Sequence, residues 1–231
     1  MAGQEMRVHR VPRTLTVLML AALLTAASAA AQTGSVTGTI MTTAKGLVPI
    51  RVTIDQKICG NQVADESIVV DAQGRVANAV VELVGLRRAP TGETVVMNEQ
   101  CRFSPRVQVV APKASIRTSS KDAVLHTTQA QLENGRTLFN VALPLPGISV
   151  TRSAGAAGIV RLNCNTHPWM RGWTIVTDNA AAVSGADGRF AIEQVPPGTY
   201  DVRVWHEALK GAPQKITVVA GKPTEITFQL K

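Results

Sequence analysis

Residues 158–178 read GIVRLNCNTHPWMRGWTIVTD. The opening run alternates. Val160, Leu162 and Cys164 fall on one face, and Ile159, Arg161 and Asn163 on the other, which is the period of a half-buried β-strand. The run WTIVTD (173–178) is a second β-rich segment. The turn between them carries a thiol, an imidazole and a thioether at Cys164, His167 and Met170. Cys164 should therefore point into a core at the end of its strand, with His167 and Met170 on the turn behind it. Pro168 biases His167 toward extended backbone, and Gly172 lets the chain turn into the next strand.

Working outward, the same texture recurs. GSVTGTIM (34–41), RVTID (51–55), ANAVVELVG (77–85), VVMNEQ (95–100), RVQVVAP (106–112), ASIRTSS (114–120) and AVLHTTQAQL (123–132) all read as short strands. In SGADGRFAI (184–192) the pair Asp187–Gly188 is a hairpin signal. VPPGTYDVRVWHE (195–207) and TEITFQL (224–230) alternate again, and RSAGAAG (152–158) reads as a loop. Short strands separated by turns predict an all-β chain built from sandwiches. Hydrophobic residues make up 45% of the 231 residues, enough for such cores. There is no P-loop, GxSxG, HExxH or CxxCH pattern. No basic run with interleaved aromatics is present either, so nucleic acid is not expected as a partner.

The N-terminus reads as an export signal, residues 1–31. Arg7, Arg10 and Arg13 precede the apolar run Leu15–Leu24, which is too short to span a bilayer, and small residues follow. Cleavage is expected after Ala31, or after Ala29 as the near alternative. The mature chain is then periplasmic or secreted, with no stable membrane insertion. It keeps 21 basic against 15 acidic residues, a balance that suits an acidic partner surface.

Three cysteines cannot all pair within one chain. Cys164 has His167 and Met170 beside it, whereas Cys59 and Cys101 have no such neighbours. Two arrangements remain open. Cys59 and Cys101 form a disulfide, closing a loop worth roughly 4 kcal/mol in the chain-entropy model, or both are buried free thiols. A site built on Cys164, His167 and Met170 lacks one donor. A trigonal His₂Cys arrangement with a weak axial Met needs a second histidine. Of the four histidines, His9 lies in the signal and His206 lies late, in VWHE. His126 shares its strand face with Val124, Ala130 and Leu132, so it points inward.

The stretch CNTHPWM resembles the copper loop of cupredoxins, with the Cys-x-x-His-x-x-Met spacing of amicyanin. CRFSPRVQV resembles the F-x-P-x-x-V strand of that family, and DAVLH resembles its D-x-x-x-H element. The resemblance implies a Greek-key sandwich over about 93–178. It also implies copper held by His126, Cys164 and His167 in a plane with Met170 axial. His167, on an exposed turn, would be the electron port. Thr127 stands where the family commonly has a bracing asparagine, and Ser120 where another asparagine is often found. GSVTGTI and SGADGRFAIEQVPPGTYDVRVWHE resemble the two ends of a carboxypeptidase regulatory-like domain, a transthyretin-like sandwich. Its strands would come from 32–92 and 179–231, with the cupredoxin inserted or in tandem. The stretch from Lys57 to Val81 resembles exported plastocyanin-like proteins of the methylamine-utilisation type.

These readings lead to a non-enzymatic one-electron carrier that works with a redox partner protein. A copper-binding or delivery protein, or a carbohydrate- or protein-binding sandwich, are the alternatives. Zinc fits less well, because a thioether is a poor zinc ligand. His206 and Glu207 are read as a polar strand end rather than as a ligand or partner contact. Trp169, Trp173 and Trp205 are either a docking patch or core fillers.

Overall fold

The computed structural model describes Gly3, residues 32–90 and residues 92–231. The expected signal segment, apart from Gly3, lies outside the described residues. The fold is all-β. The strand Gly34–Thr42 alternates buried and half-buried positions along its whole length, with Val36 and Ile40 fully buried. It runs antiparallel to Arg189–Val195 on one side and parallel to Pro223–Leu230 on the other. The parallel neighbour comes so close that a Cβ on Gly38 would lie 2.0 Å from the carbonyl oxygen of Ile226. Only glycine fits there.

A second sheet has the order Asn179–Val183, Val80–Arg87, Gly198–Trp205, Gln214–Val218. The two sheets share one apolar core, with Ile40, Leu83, Val202, Phe228 and Leu230 at its centre. At the expected hairpin Gly188 has φ 68°, and Asp187 accepts the Arg189 N–H at 3.0 Å.

The strands between Glu93 and Val176 form two further sheets. One has the order Thr137–Leu143, His126–Leu132, Gly158–Asn163, Arg171–Val176, Val107–Val110. The other has the order Ser149–Ser153, Ser115–Ser120, Glu93–Glu99, Arg102–Ser104. Each contains one parallel pair. Their shared core includes Val96, Phe103, Ile116, Val141 and Leu162, and reaches Cys164 and Met170 at one end.

Residues Ala31–Lys231 form one compact unit. Val80, Ala181, Val183 and Trp205 pack against Val107, Val109, Ile159, Trp173 and Ile175 where the two sandwiches meet. The rings of Trp173 and Trp205 meet there edge to face, with centroids 5.4 Å apart, so these two tryptophans fill an interior. Beside them Glu207 takes two bonds from Arg106, at 2.8 and 3.0 Å, with both side chains nearly inaccessible.

Some local expectations change. Of RVTID only Arg51 lies in a strand, Ile50–Arg51, which pairs with Gln62–Val63. Asp55 then takes a left-handed conformation, φ 53°, and starts the short helix Gln56–Cys59. The strand Ser149–Ser153 claims the first two residues of RSAGAAG, and Gly158 opens the next strand. The strands Thr137–Leu143, Asn179–Val183 and Gln214–Val218 had no counterpart in the sequence reading. Among the described residues, no helix is long and apolar enough to cross a membrane.

Candidate metal centre

The site is assembled where the strand Gly158–Asn163 ends. Val160, Leu162 and Cys164 are buried on one face, while Arg161 is exposed on the other. The neighbouring strand, His126–Leu132, pairs Ala130 with Leu162 and Gln129 with Asn163. Its inward face carries His126, Thr128 and Ala130, all with no exposed surface. The turn after Cys164 closes when the Met170 N–H donates to the His167 carbonyl at 2.9 Å. The Cys164 N–H returns to the Met170 carbonyl at 3.3 Å. Met170 is buried in the same core cluster as Cys164.

Three donors converge. The Cys164 Sγ lies 3.9 Å from His126 Nδ1 and 3.6 Å from His167 Nδ1. Both rings are wholly buried. Their other nitrogens are tied to carboxylates. His126 Nε2 lies 2.9 Å from Asp122 Oδ2, and His167 Nε2 lies 3.0 Å from Asp55 Oδ2. Asp122 also accepts the Gln100 and Cys101 N–H groups, each at 2.8 Å. A carboxylate on Nε2 holds that nitrogen as a donor, so that Nδ1, which faces the sulfur, is the nitrogen free to ligate. The tautomer that a ligating histidine needs is thereby set from behind for both rings.

The sulfur is prepared in the same way. Burial pushes the Cys164 thiol up. Bonds from His126, His167 and the Thr127 and His167 backbone outweigh burial and bring it down to about 5. For His167, burial lowers the pKa, but the Cys164 sulfur and the Asp55 carboxylate raise it above its ordinary value.

The donor set fits a soft, three-to-four-coordinate ion. Ligands at about 2.3 Å (sulfur) and about 2.05 Å (nitrogen), at about 120°, would put S and N about 3.8 Å apart. The two observed separations lie on either side of that value. His126, Cys164 and His167 offer ligand atoms within 4.8 Å of one another.

Thr127 braces this end. Its N–H donates to the Cys164 Sγ at 3.3 Å, and its Oγ1 accepts the Asn165 N–H at 2.7 Å. Ser120 supports Asp122 instead, its hydroxyl accepting the Asp122 N–H at 3.2 Å. Cys59 and Cys101 are joined in a disulfide. Its sulfurs lie beside His167.

One expectation is overturned. His167 is not on an exposed turn. It has no accessible surface, and on the strap of residues 52–59 Asp55 holds its outer nitrogen while Cys59 lies beside it. That strap is fixed by the Cys59–Cys101 bond and by the Val52 N–H to Asn61 carbonyl bond at 3.0 Å. Asp55 carried no local signal, lying 112 positions before His167. Asp122 had one, the D-x-x-x-H spacing to His126. His206 belongs to no donor cluster among the described residues. Its Nδ1 accepts the Ala208 and Leu209 N–H groups at 3.2 Å, a turn-forming role.

The profile of the carboxypeptidase regulatory-like domain matches residues 143–231. The match begins upstream of Asn179, inside the sheet that carries Cys164. No curated protein matches the chain. Among solved structures, the chain is similar to a purple cupredoxin from Nitrosopumilus maritimus, with 22% identity and a TM-score of 0.33. That likeness covers 36% of this chain and 99% of the cupredoxin. Amicyanin from Paracoccus versutus shares 13% identity, covering 42% of this chain and 97% of amicyanin, with a TM-score of 0.33. A reduced amicyanin variant shares 14%, covering 42% and 98%, with a TM-score of 0.34. All three are weak likenesses.

Proposed function

We propose that this is an exported copper protein that carries one electron at a time. The observation that carries the reading is the convergence of two buried Nδ1 atoms on a buried, acidified sulfur, each ring fixed from behind by a carboxylate. His126, Cys164 and His167 would hold the ion, with Met170 as the weak fourth ligand. Copper bound there would supply a Cu(I)/Cu(II) couple whose potential the surrounding donors tune. The chain's own residues do the rest. Asp55 and Asp122 hold the rings so that neither has to turn when the charge changes. The Thr127 N–H stabilises negative charge on the sulfur. The buried core around Leu162 and Met170 keeps water away from it.

The thioether favours copper over zinc. With four protein ligands no position is left for a substrate, so we assign no catalytic role. The partner would be an acidic-surfaced redox protein, since the mature chain is basic. A copper-delivery role would use the same residues, and rapid loss of metal to a chelator would separate it from electron transfer. The regulatory-like sandwich supports a binding-module role only for residues outside the site.

Titrating residues 32–231 with Cu(II) tests the reading. An intense visible thiolate-to-copper band should saturate at one ion per chain. Cys164→Ser should abolish the band while the far-ultraviolet β spectrum stays unchanged. A folded protein that develops no band would overturn the proposal.

A further inference from the structure

The closed position of His167 raises the question of where an electron could cross the surface. The next ring outward is Trp169. Its centroid lies 5.2 Å from that of His167, and the His167 and His126 centroids are 4.6 Å apart. The Trp169 indole N–H donates to the Cys101 carbonyl at 3.2 Å, which fixes the ring. The ring is half-buried. It lines a surface cleft of about 290 Å³ together with Ile50, Arg51, Pro168, Arg106 and Arg171. Asp65 and Glu66 line the same cleft. Glu66 is engaged by Arg102 and Arg106, at 3.5 and 3.7 Å. Arg51 and Arg171 are exposed and have no salt-bridge partner among the described residues.

Resting on the copper reading, we propose that Trp169, not the edge of His167, is the electron port, and that its cleft receives a one-electron redox protein presenting carboxylates to Arg51 and Arg171. In each transfer the reduced partner gives up one electron and the metal site takes it up. No bond forms or breaks and no proton moves. The strap makes the two routes unequal. It meets the imidazole with Asp55 and Cys59, and it leaves the indole open beside Arg51 and Arg171, of which Arg171 also attracts the Asp65 carboxylate in the same cleft.

The test uses the copper-loaded mature chain in its reduced form, oxidised by ferricyanide in a stopped-flow instrument. Trp169→Leu slows oxidation severalfold with the thiolate–copper band unchanged, and Trp169→Phe restores most of the rate. Replacing Arg51 and Arg171 by Gln slows the reaction with ferricyanide by about tenfold and speeds the reaction with a cationic cobalt(III) oxidant. A second readout needs no copper. Hexacyanochromate(III), an inert paramagnetic anion, broadens the indole N–H resonance of Trp169 in the metal-free protein before that of Trp173. A wild-type rate in Trp169→Leu, with the band intact, overturns the port and leaves the copper reading standing. Equal slowing by Ile54→Glu on the strap overturns it too. Loss of the band in the wild-type protein is a different failure and removes the copper reading itself.

Discussion

Phe228 and Cys164 occupy comparable places. Each is nearly inaccessible on the inward face of its own sandwich, and their surroundings differ in kind. Phe228 sits in a cluster of aliphatic and aromatic side chains. Cys164 meets two imidazoles and a backbone amide. An apolar core is held by area and volume, and similar shapes can substitute in it. A buried polar cluster is stable only if every member is paired. The second sandwich accepts that constraint at one end. The carboxylates of Asp55 and Asp122, the Thr127 amide and the disulfide are the partners that make it tolerable.

The contrast breaks first at the sulfur. Cys164→Ser should remove the metal site completely, while Phe228→Ala should leave one-to-one copper binding intact and cost about 3–5 kcal/mol of stability. Isothermal titration and urea unfolding of the two variants measure both halves. If Phe228→Ala weakens copper binding as strongly as it weakens the fold, the two regions are not separate in the way described.

Next is the staple. Replacing Cys59 and Cys101 by Ala should lower stability by about 2–4 kcal/mol. It should also speed amide exchange over residues 52–59 far more than over Pro223–Leu230. Equal protection in both segments would show that the strap holds without the bond.

The pH dependence of the metal-free protein follows from the two shifted groups. The Cys164 pKa is depressed to about 5. Its contribution is present above the ordinary thiol value and is lost as pH falls through about 5. The His167 pKa is raised. Its contribution is present below the ordinary imidazole value and is lost as pH rises through the raised one. Thiolate ultraviolet absorbance should therefore disappear near pH 5, and the urea midpoint should fall as pH drops toward 5, with the loss of the His167 contribution offsetting part of the Cys164 gain above the ordinary imidazole value. Cys164→Ser should flatten the acid limb.

The smallest effect is expected at Thr127. Thr127→Val removes the hydroxyl that receives the Asn165 N–H and should cost about 1 kcal/mol, with a small shift in the thiolate band. A loss of binding comparable to that of Cys164→Ser would promote this residue from brace to essential support.

Much of this was legible in the sequence. Alternation placed Val160, Leu162 and Cys164 on one face, and the same rule turned His126 inward. What failed did so for physical reasons. NAAAV (179–183) has low β-propensity and becomes a strand only because Val80–Arg87 lies beside it. Thr137–Leu143 alternates clearly, with Phe139, Val141 and Leu143 inward, so its strand character is local and legible. RVTID keeps a strand pattern that Asp55 interrupts by turning left-handed. The burial of His167 could not be read locally at all. It depends on a segment more than a hundred residues away, tied down by a bond whose pairing sequence alone leaves open.

Arg87 and Asn179 are cross-strand partners, so the chain leaves the first sandwich and re-enters it at the same rung. A fragment spanning 93–178 would contain His126, Cys164, His167 and Met170, yet it would lack Asp55 and would leave Cys101 without its bond. The site thus has split ownership, with its donors on one stretch of chain and its cover on another. Shuffling either stretch into a new protein would separate the donor pocket from its cover.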